Sequence, residues 1–314
     1  MIVKMKDVMK RYQNERLALD YFDLEVKRGE VIGLLGPNGA GKTTAISAIV
    51  GLLDVDGGTV EVFGETQNGN KLALRKRIGL VTQEVTVYED LSAYENLLFF
   101  GKLYGLKGDH LKRRIFEVAE LIGLKDRLHE VPKKYSGGMK RRLNIGCALL
   151  HEPELIIMDE PTVGIDPQSR NYILEFVKEL AHKEDTAIIY TSHYIEEVQA
   201  IADTVVIVDQ GHVIAKGTVA ALIEKIKGDQ MITISVKTES TEKLKQVQAL
   251  ADIKEAYLED NRYQIITHSG VNVLDKVLAI LAPLTITNVE NAQANLEDVF
   301  LMLTGKTLRD GQVN

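Results

Sequence analysis

Two glycine-rich segments lie far apart in the chain. The first is Gly36-Pro37-Asn38-Gly39-Ala40-Gly41-Lys42-Thr43, with the spacing G-x-x-x-x-G-K-T. A short apolar run, Val31 to Leu35, precedes it, and apolar residues at helical spacing follow from Lys42 to Leu53. A tight glycine loop that opens a helix turns its backbone N–H groups inward, and the helix start adds partial positive charge. Such a loop cradles a polyphosphate. Lys42 supplies a full charge to the terminal phosphates, and the Thr43 hydroxyl suits Mg²⁺.

A second chemical element is Leu155-Ile156-Ile157-Met158-Asp159-Glu160. A buried strand does not carry acids for packing, because an unpaired buried carboxylate is costly. Asp159 at the strand end can reach a metal shell. Glu160, one residue on, can orient or deprotonate water near a terminal phosphate. The second glycine segment, Tyr135-Ser136-Gly137-Gly138-Met139, stands just ahead of this strand.

The elements that must position these groups alternate. Residues 2–9, 17–26, 31–35, 59–63, 78–81, 155–158, 187–191 and 204–208 read as strands, with helices at 42–53, 168–183 and 194–202. Buried-type strands alternating with helices imply a mostly parallel sheet in an α/β fold. Leu91, Tyr94, Leu97, Leu98 and Tyr104 recur at helical intervals, as do Leu111, Ile115, Val118, Ala119 and Ile122, so about 84–150 is a helical insertion. Gln210-Gly211-His212 predicts a hairpin turn. A boundary near Lys227-Gly228-Asp229 sets 1–228 apart from 229–314. The second part reads strand 231–237, helix 240–250, strands 254–259 and 262–268, helix 271–282, strand 284–290 and helix 295–304, a small α+β domain.

The 314 residues include 45% hydrophobic and 26% charged, an ordinary globular balance. A net charge of −7 disfavours a primary nucleic-acid role, since a phosphate-tracking surface leaves a basic excess. The single cysteine, Cys147, excludes an intramolecular disulfide and points to a reducing cytosol. No apolar run approaches the ~18–20 residues that span a bilayer, and Met1 to Tyr12 lacks a signal-peptide core. A membrane role is therefore expected to come through a partner.

Taken together in this order, the residues resemble the ATP-binding cassette (ABC) family over roughly residues 1–220. Tyr135 to Met139 is similar to the family's signature segment, with Tyr135 where leucine is usual and Met139 where glutamine is commoner. Gln83 resembles the Q-loop glutamine, Val163-Gly164-Ile165-Asp166 the D-loop, and His193 the switch histidine. Tyr12 resembles the aromatic that stacks on adenine, with Tyr21 and Phe22 as alternatives. The resemblance implies a P-loop NTPase core with an antiparallel β subdomain and the helical insertion. It implies ATP and Mg²⁺ as cofactors, bound by Gly36 to Thr44, with Thr43, Gln83 and Asp159 at the metal and Glu160, His193 and Gln83 in catalysis. Two cassettes would meet head to tail. Ser136, Gly137 and Gly138 of one would then complete the site of the other, and Asp166 of the D-loop would also bind the nucleotide.

The same resemblance implies a detached ATPase subunit on the inner face of the cell membrane, held there by a separate permease. The permease would dock near Tyr88, Asp90, Tyr94 and Phe99. Residues 295–306 are similar to the end of drug- and antibiotic-exporter ATPases, which makes export of a small compound the expected role. The alternative is a soluble cassette ATPase acting on nucleic acid or ribosomes. Those usually carry coiled coils, zinc insertions or two cassettes, and none is visible here.

Overall fold

The structure, a computed structural model, describes residues 1–12, 17–68, 71–224, 230–267, 273–292 and 295–304, the side chains of 182–184, 230–231 and 291–292 excepted. It divides into two compact units, Met1–Thr218 and Val219–Thr307.

The first unit opens with β1 (Val3–Arg11), β2 (Leu17–Val26), β3 (Val31–Leu35), α1 (Lys42–Ile49), β4 (Gly57–Val62), β5 (Glu65–Thr66), α2 (Leu72–Arg75) and β6 (Ile78–Val81). Helices α3 (Ala93–Leu103), α4 (Gly108–Leu121) and α5 (Gly137–Leu149) follow. It continues through β7 (Leu155–Asp159), α6 (Pro167–Glu184), β8 (Ala187–Ser192), α7 (Ile195–Ile201), β9 (Thr204–Asp209) and β10 (His212–Gly217).

Strands β6, β7, β8, β3 and β9 pair in parallel, in the order β10-β9-β3-β8-β7-β6. Strands covered on both faces read as continuous apolar runs, and all five residues of β3 are buried. At the edge, β10 returns antiparallel to β9 through a two-residue turn in which Gln210 (φ 47°) and Gly211 (φ 85°) are both left-handed. A separate antiparallel sheet has the order β2-β1-β4-β5. Helix α1 shares one core with both: Ala45, Ile46 and Ile49 join Val3, Phe22 and Val60 of the antiparallel sheet and Ile32, Leu34 and Ile157 of the parallel one.

The expected helix at 42–53 ends earlier, at Ile49, because Gly51 takes a left-handed φ of 67° just past the last turn and stops it. Helices α3, α4 and α5 contact one another and form the insertion. A reciprocal Ser92/Glu95 capping box starts α3. Leu111, Ile115, Val118 and Ala119 give α4 its buried stripe.

The second unit contains α8 (Val219–Glu224), β11 (Gln230–Val236), α9 (Thr241–Gln248), β12 (Ile253–Glu259), β13 (Arg262–Thr267), α10 (Leu274–Leu281), β14 (Ile286–Ala292) and α11 (Leu296–Thr304). Its sheet is antiparallel, ordered β12-β13-β11-β14, which makes β11-α9-β12-β13-α10-β14 a split β-α-β arrangement. Ile232, Ile234, Tyr263 and Ile265 from the strands meet Val247, Val277 and Leu281 from the helices. Helix α8 packs on α11 within this unit; the boundary expected near Lys227-Gly228-Asp229 lies outside the described residues.

His151, after α5, has its ring stacked on Tyr104 at 3.6 Å and 8°, and its Nε2 lies 3.1 Å from the Ile78 carbonyl. Burial, more than the nearby Arg114 charge, pushes this imidazole from 6.5 down to about 4. The unfolded chain therefore takes up a proton that the folded chain refuses. The resulting stability is complete above pH 6.5 and is lost as pH falls toward 4. His151→Gln should flatten the fall in urea midpoint between neutral pH and about pH 4.5. An unchanged slope would rule out this coupling.

Candidate functional site

The loop after β3 leads straight into α1. Gly41 adopts φ 110°, and a Cβ there would stand 2.5 Å from the Ala18 carbonyl oxygen, so only glycine lets the backbone curl this tightly. Lys42 is 6% exposed. Its Nζ donates to the Gly36 carbonyl and, at 3.2 Å, to that of Pro37. Burial lowers the Lys42 pKa, while the charges of Glu160 and then Asp159 oppose that shift. The ammonium thus folds back over its own loop.

A cavity of about 260 Å³ opens here, lined by Tyr12, Ala18, Asn38, Gly39, Ala40, Gly41, Lys42, Thr43, Thr44, Gln83, Asp159 and Glu160. Tyr12 is half-exposed at its rim. Of the alternative aromatics, Phe22 is fully buried in the core and Tyr21 is exposed outside the lining.

Thr43 Oγ1 donates to Asp159 Oδ2 at 3.3 Å. Thr191 Oγ1 donates to Asp159 Oδ1 at 2.6 Å and accepts from the Glu160 N–H at 2.9 Å. One hydroxyl therefore orients both acids. Glu160 has φ 47°, a left-handed conformation that costs a non-glycine residue and persists only where its surroundings hold it. Its Oε2 lies 3.4 Å from His193 Nδ1. Hydrogen bonding from His193, with the charges of His193 and Lys42 behind it, holds the Glu160 carboxyl below the usual carboxylate range against the effect of burial. It is an ionised base. The hydroxyl, carboxylate and amide oxygens of Thr43, Asp159 and Gln83 are hard donors of the kind Mg²⁺ takes alongside phosphate oxygens.

Ser136, Gly137, Gly138 and Asp166 do not line this cavity. Ser136 caps α5, accepting from the Met139 N–H at 3.2 Å, so Met139 contributes through its backbone. Ser136 and Gly137 are exposed and Gly138 is buried. A Cβ on Gly138 would fall 1.9 Å from Ser169 Oγ, beside Asp166, which caps α6 by accepting from the Ser169 N–H at 2.9 Å. Tyr135 is buried, and its hydroxyl donates to the Arg127 carbonyl at 2.6 Å, which explains the tyrosine in place of leucine.

Three residues with no motif to mark them complete the geometry. Besides Thr191, Arg141 on α5 donates to the Thr82 carbonyl at 2.7 Å and to that of Gln83. Asn144, one turn on, accepts from the Thr86 hydroxyl at 2.9 Å. The helix that begins at Ser136 thereby grips the backbone around Gln83.

A linearmycin resistance ATP-binding protein of Bacillus subtilis (strain 168) is 42% identical over 314 residues, covering 98% of this chain and 100% of that protein. The chain belongs to the ABC transporter family. The family described as "ABC transporter" matches residues 19–163. A daunorubicin resistance ATP-binding protein of Streptomyces coeruleorubidus is 36% identical, over 96% of this chain and 95% of that one. Among solved structures, an ATP-binding subunit of an ABC transporter superposes with TM-score 0.63 and 30% identity, covering 72% of this chain and 93% of that one. A dimeric ATP-binding cassette in a post-hydrolysis state bound to ADP and phosphate also gives TM-score 0.63, at 25% identity over 69% and 98%. The protein is an ABC ATP-binding subunit, an ATPase with the P-loop NTPase fold. Among the described residues no helix is long and apolar enough to cross a membrane.

Thr191→Val removes the hydroxyl shared by Asp159 and Glu160 while keeping shape. It should cost about 2–3 kcal/mol in unfolding free energy, as for a buried hydrogen bond to a charged group. Denaturant titration measures this, and a cost near zero would contradict the dual role.

Proposed function

We propose that this ABC ATPase subunit works as a head-to-tail homodimer that binds two ATP·Mg²⁺ and drives a separate permease exporting a drug-like compound. One observation carries the two-copy reading. The cavity gathers the phosphate loop, both acids and Gln83, yet the exposed helix start at Ser136-Gly137 lies outside its lining. An exposed helix start carrying a serine hydroxyl suits a phosphate brought by a second chain. The dimeric cassette among the structural neighbours supports the same reading.

In this proposal Tyr12 stacks on adenine, and Gly36 to Thr44 wrap the phosphates while Lys42 leaves its own carbonyls for the terminal ones. Thr43, Asp159 and Gln83 hold Mg²⁺, which when bound neutralises charge on the phosphates. Glu160 orients the attacking water and accepts its proton as the γ-phosphate leaves ADP. His193 contacts the γ-phosphate and keeps Glu160 in place. Ser136, Gly137, Gly138 and Asp166 reach the partner's nucleotide. Arg141 and Asn144 tie that helix to the Gln83 loop, so the two respond together.

The permease docks on the helical insertion. Tyr88 and Phe99, both partly exposed, meet edge to face at 5.1 Å, with Asp90 exposed nearby in sequence. This contact holds the subunit at the cytoplasmic face of the membrane. Relatives named for resistance to linearmycin and daunorubicin support a drug-like cargo. The 229–314 region serves as an accessory domain.

Glu160→Gln should lower ATP hydrolysis by ~10²-fold or more, the scale of a lost general base, with ATP affinity retained. Near-normal turnover would remove Glu160 from this role. Purification of the tagged subunit from detergent-solubilised membranes should bring down a multi-spanning protein. Recovery of ribosomes or nucleic acid in its place would favour the soluble alternative.

A further inference from the structure

Glu197, on α7, is 2% exposed and lies outside the phosphate loop, the acid pair and the Ser136 segment. Burying a carboxylate is tolerable only with a full set of donors. Its Oε2 accepts three hydroxyls: Thr162 Oγ1 at 2.7 Å, Tyr190 Oη at 2.9 Å and Ser192 Oγ at 2.9 Å. Burial first, then the Glu197 charge, pushes the Tyr190 phenol well above its ordinary value, so it remains a donor. The other oxygen, Oε1, faces Arg170 Nε at 3.3 Å. Neither of these two buried atoms makes a hydrogen bond with the described residues, so the pair is held by charge alone.

The partners come from the segments that flank the chemistry. Thr162 stands two residues past Glu160 and opens the segment ending at Asp166. Arg170 lies in the first turns of α6, the helix that Asp166 caps. Ser192 precedes His193, and its Oγ also accepts the Tyr194 N–H at 2.9 Å, which sets the backbone around the histidine. The Arg170 guanidinium further lies 5.0 Å from the Tyr194 ring centre, and that ring lies 4.1 Å from His193.

We propose that Glu197 is a positioning residue that ties the Asp166 segment to His193, so that a second copy pressing on Asp166 adjusts the Glu160–His193 pair. The inference rests on the two-copy reading above. Charge is essential to it. A glutamine in this place would turn an amide N–H₂ either toward the three hydroxyls or toward the Arg170 cation, setting donor against donor. The misaligned Arg170 contact is the slack in the network: a small shift of α6 tightens or loosens it, while the three hydroxyl bonds keep the strand ends fixed.

The test compares Glu197→Gln, Arg170→Met and the double variant. Hydrolysis, equilibrium affinity for a non-hydrolysed ATP analogue, and ATP-driven dimerisation are measured on folded protein. Each single variant should lower kcat by ~10-fold, with analogue affinity within about 2-fold of the parent. The double variant should lose little more, as residues of one network do. Arg170→Met keeps the test open if Glu197→Gln does not fold, since Arg170 is partly exposed. Unchanged kcat in variants that still dimerise would overturn the tie alone, as would multiplicative losses in the double variant. A parent protein that hydrolyses ATP only as a monomer would overturn the two-copy reading beneath it.

Discussion

The parallel register of three strands is the constraint on which the site depends. Asp159 of β7 sits beside Thr191 of β8, and Leu35 of β3 sits beside Ser192. This puts the start of the phosphate loop, the acid pair and the histidine segment on one level at the carboxyl edge of the sheet, where open α/β sheets bind ligands. A one-residue slip of β7 would turn every side chain to the other face and separate Asp159 from both Thr43 and Thr191. Because these strands are apolar on both faces, the register is marked at their ends, where Thr191 meets Asp159.

Within that frame the charges hold each other short of any ligand. Lys42 is desolvated and leans on its own loop carbonyls, with Glu160 and Asp159 keeping it charged. Glu160 is ionised beside His193 in a backbone conformation that costs energy. Thr191 supplies one bond to each acid, and Glu197 gathers three hydroxyls one layer behind. A polyphosphate arriving at the loop competes for groups that are already oriented, so little reorganisation remains at the moment of reaction.

The architecture was legible because its signals are local. Four-to-six-residue apolar strands, helical periodicity in the insertion and the Gln210-Gly211 turn each declare themselves within a few residues. The phosphate loop is local too, since its glycines answer to backbone geometry. Thr191, Arg141, Asn144 and Glu197 were not legible. Each is an unremarkable polar residue in a strand or helix, and at least one partner that gives it its role lies tens of residues away: Thr191 to Asp159, Arg141 to Gln83, Glu197 to Thr162. Only the folded register brings them together. The end of α1 is hard to place because the apolar pattern runs on to Leu53 past Gly51, whose left-handed backbone stops the helix.

In the proposed assembly ATP lies between two copies of the chain. Sedimentation of the Glu160→Gln protein, with bound nucleotide measured on the same samples, tests this most directly. Monomer without ATP and dimer with ATP·Mg²⁺, the shift abolished when Ser136→Arg is added, is the predicted result. A protein that binds ATP stoichiometrically and stays monomeric at every concentration would contradict it.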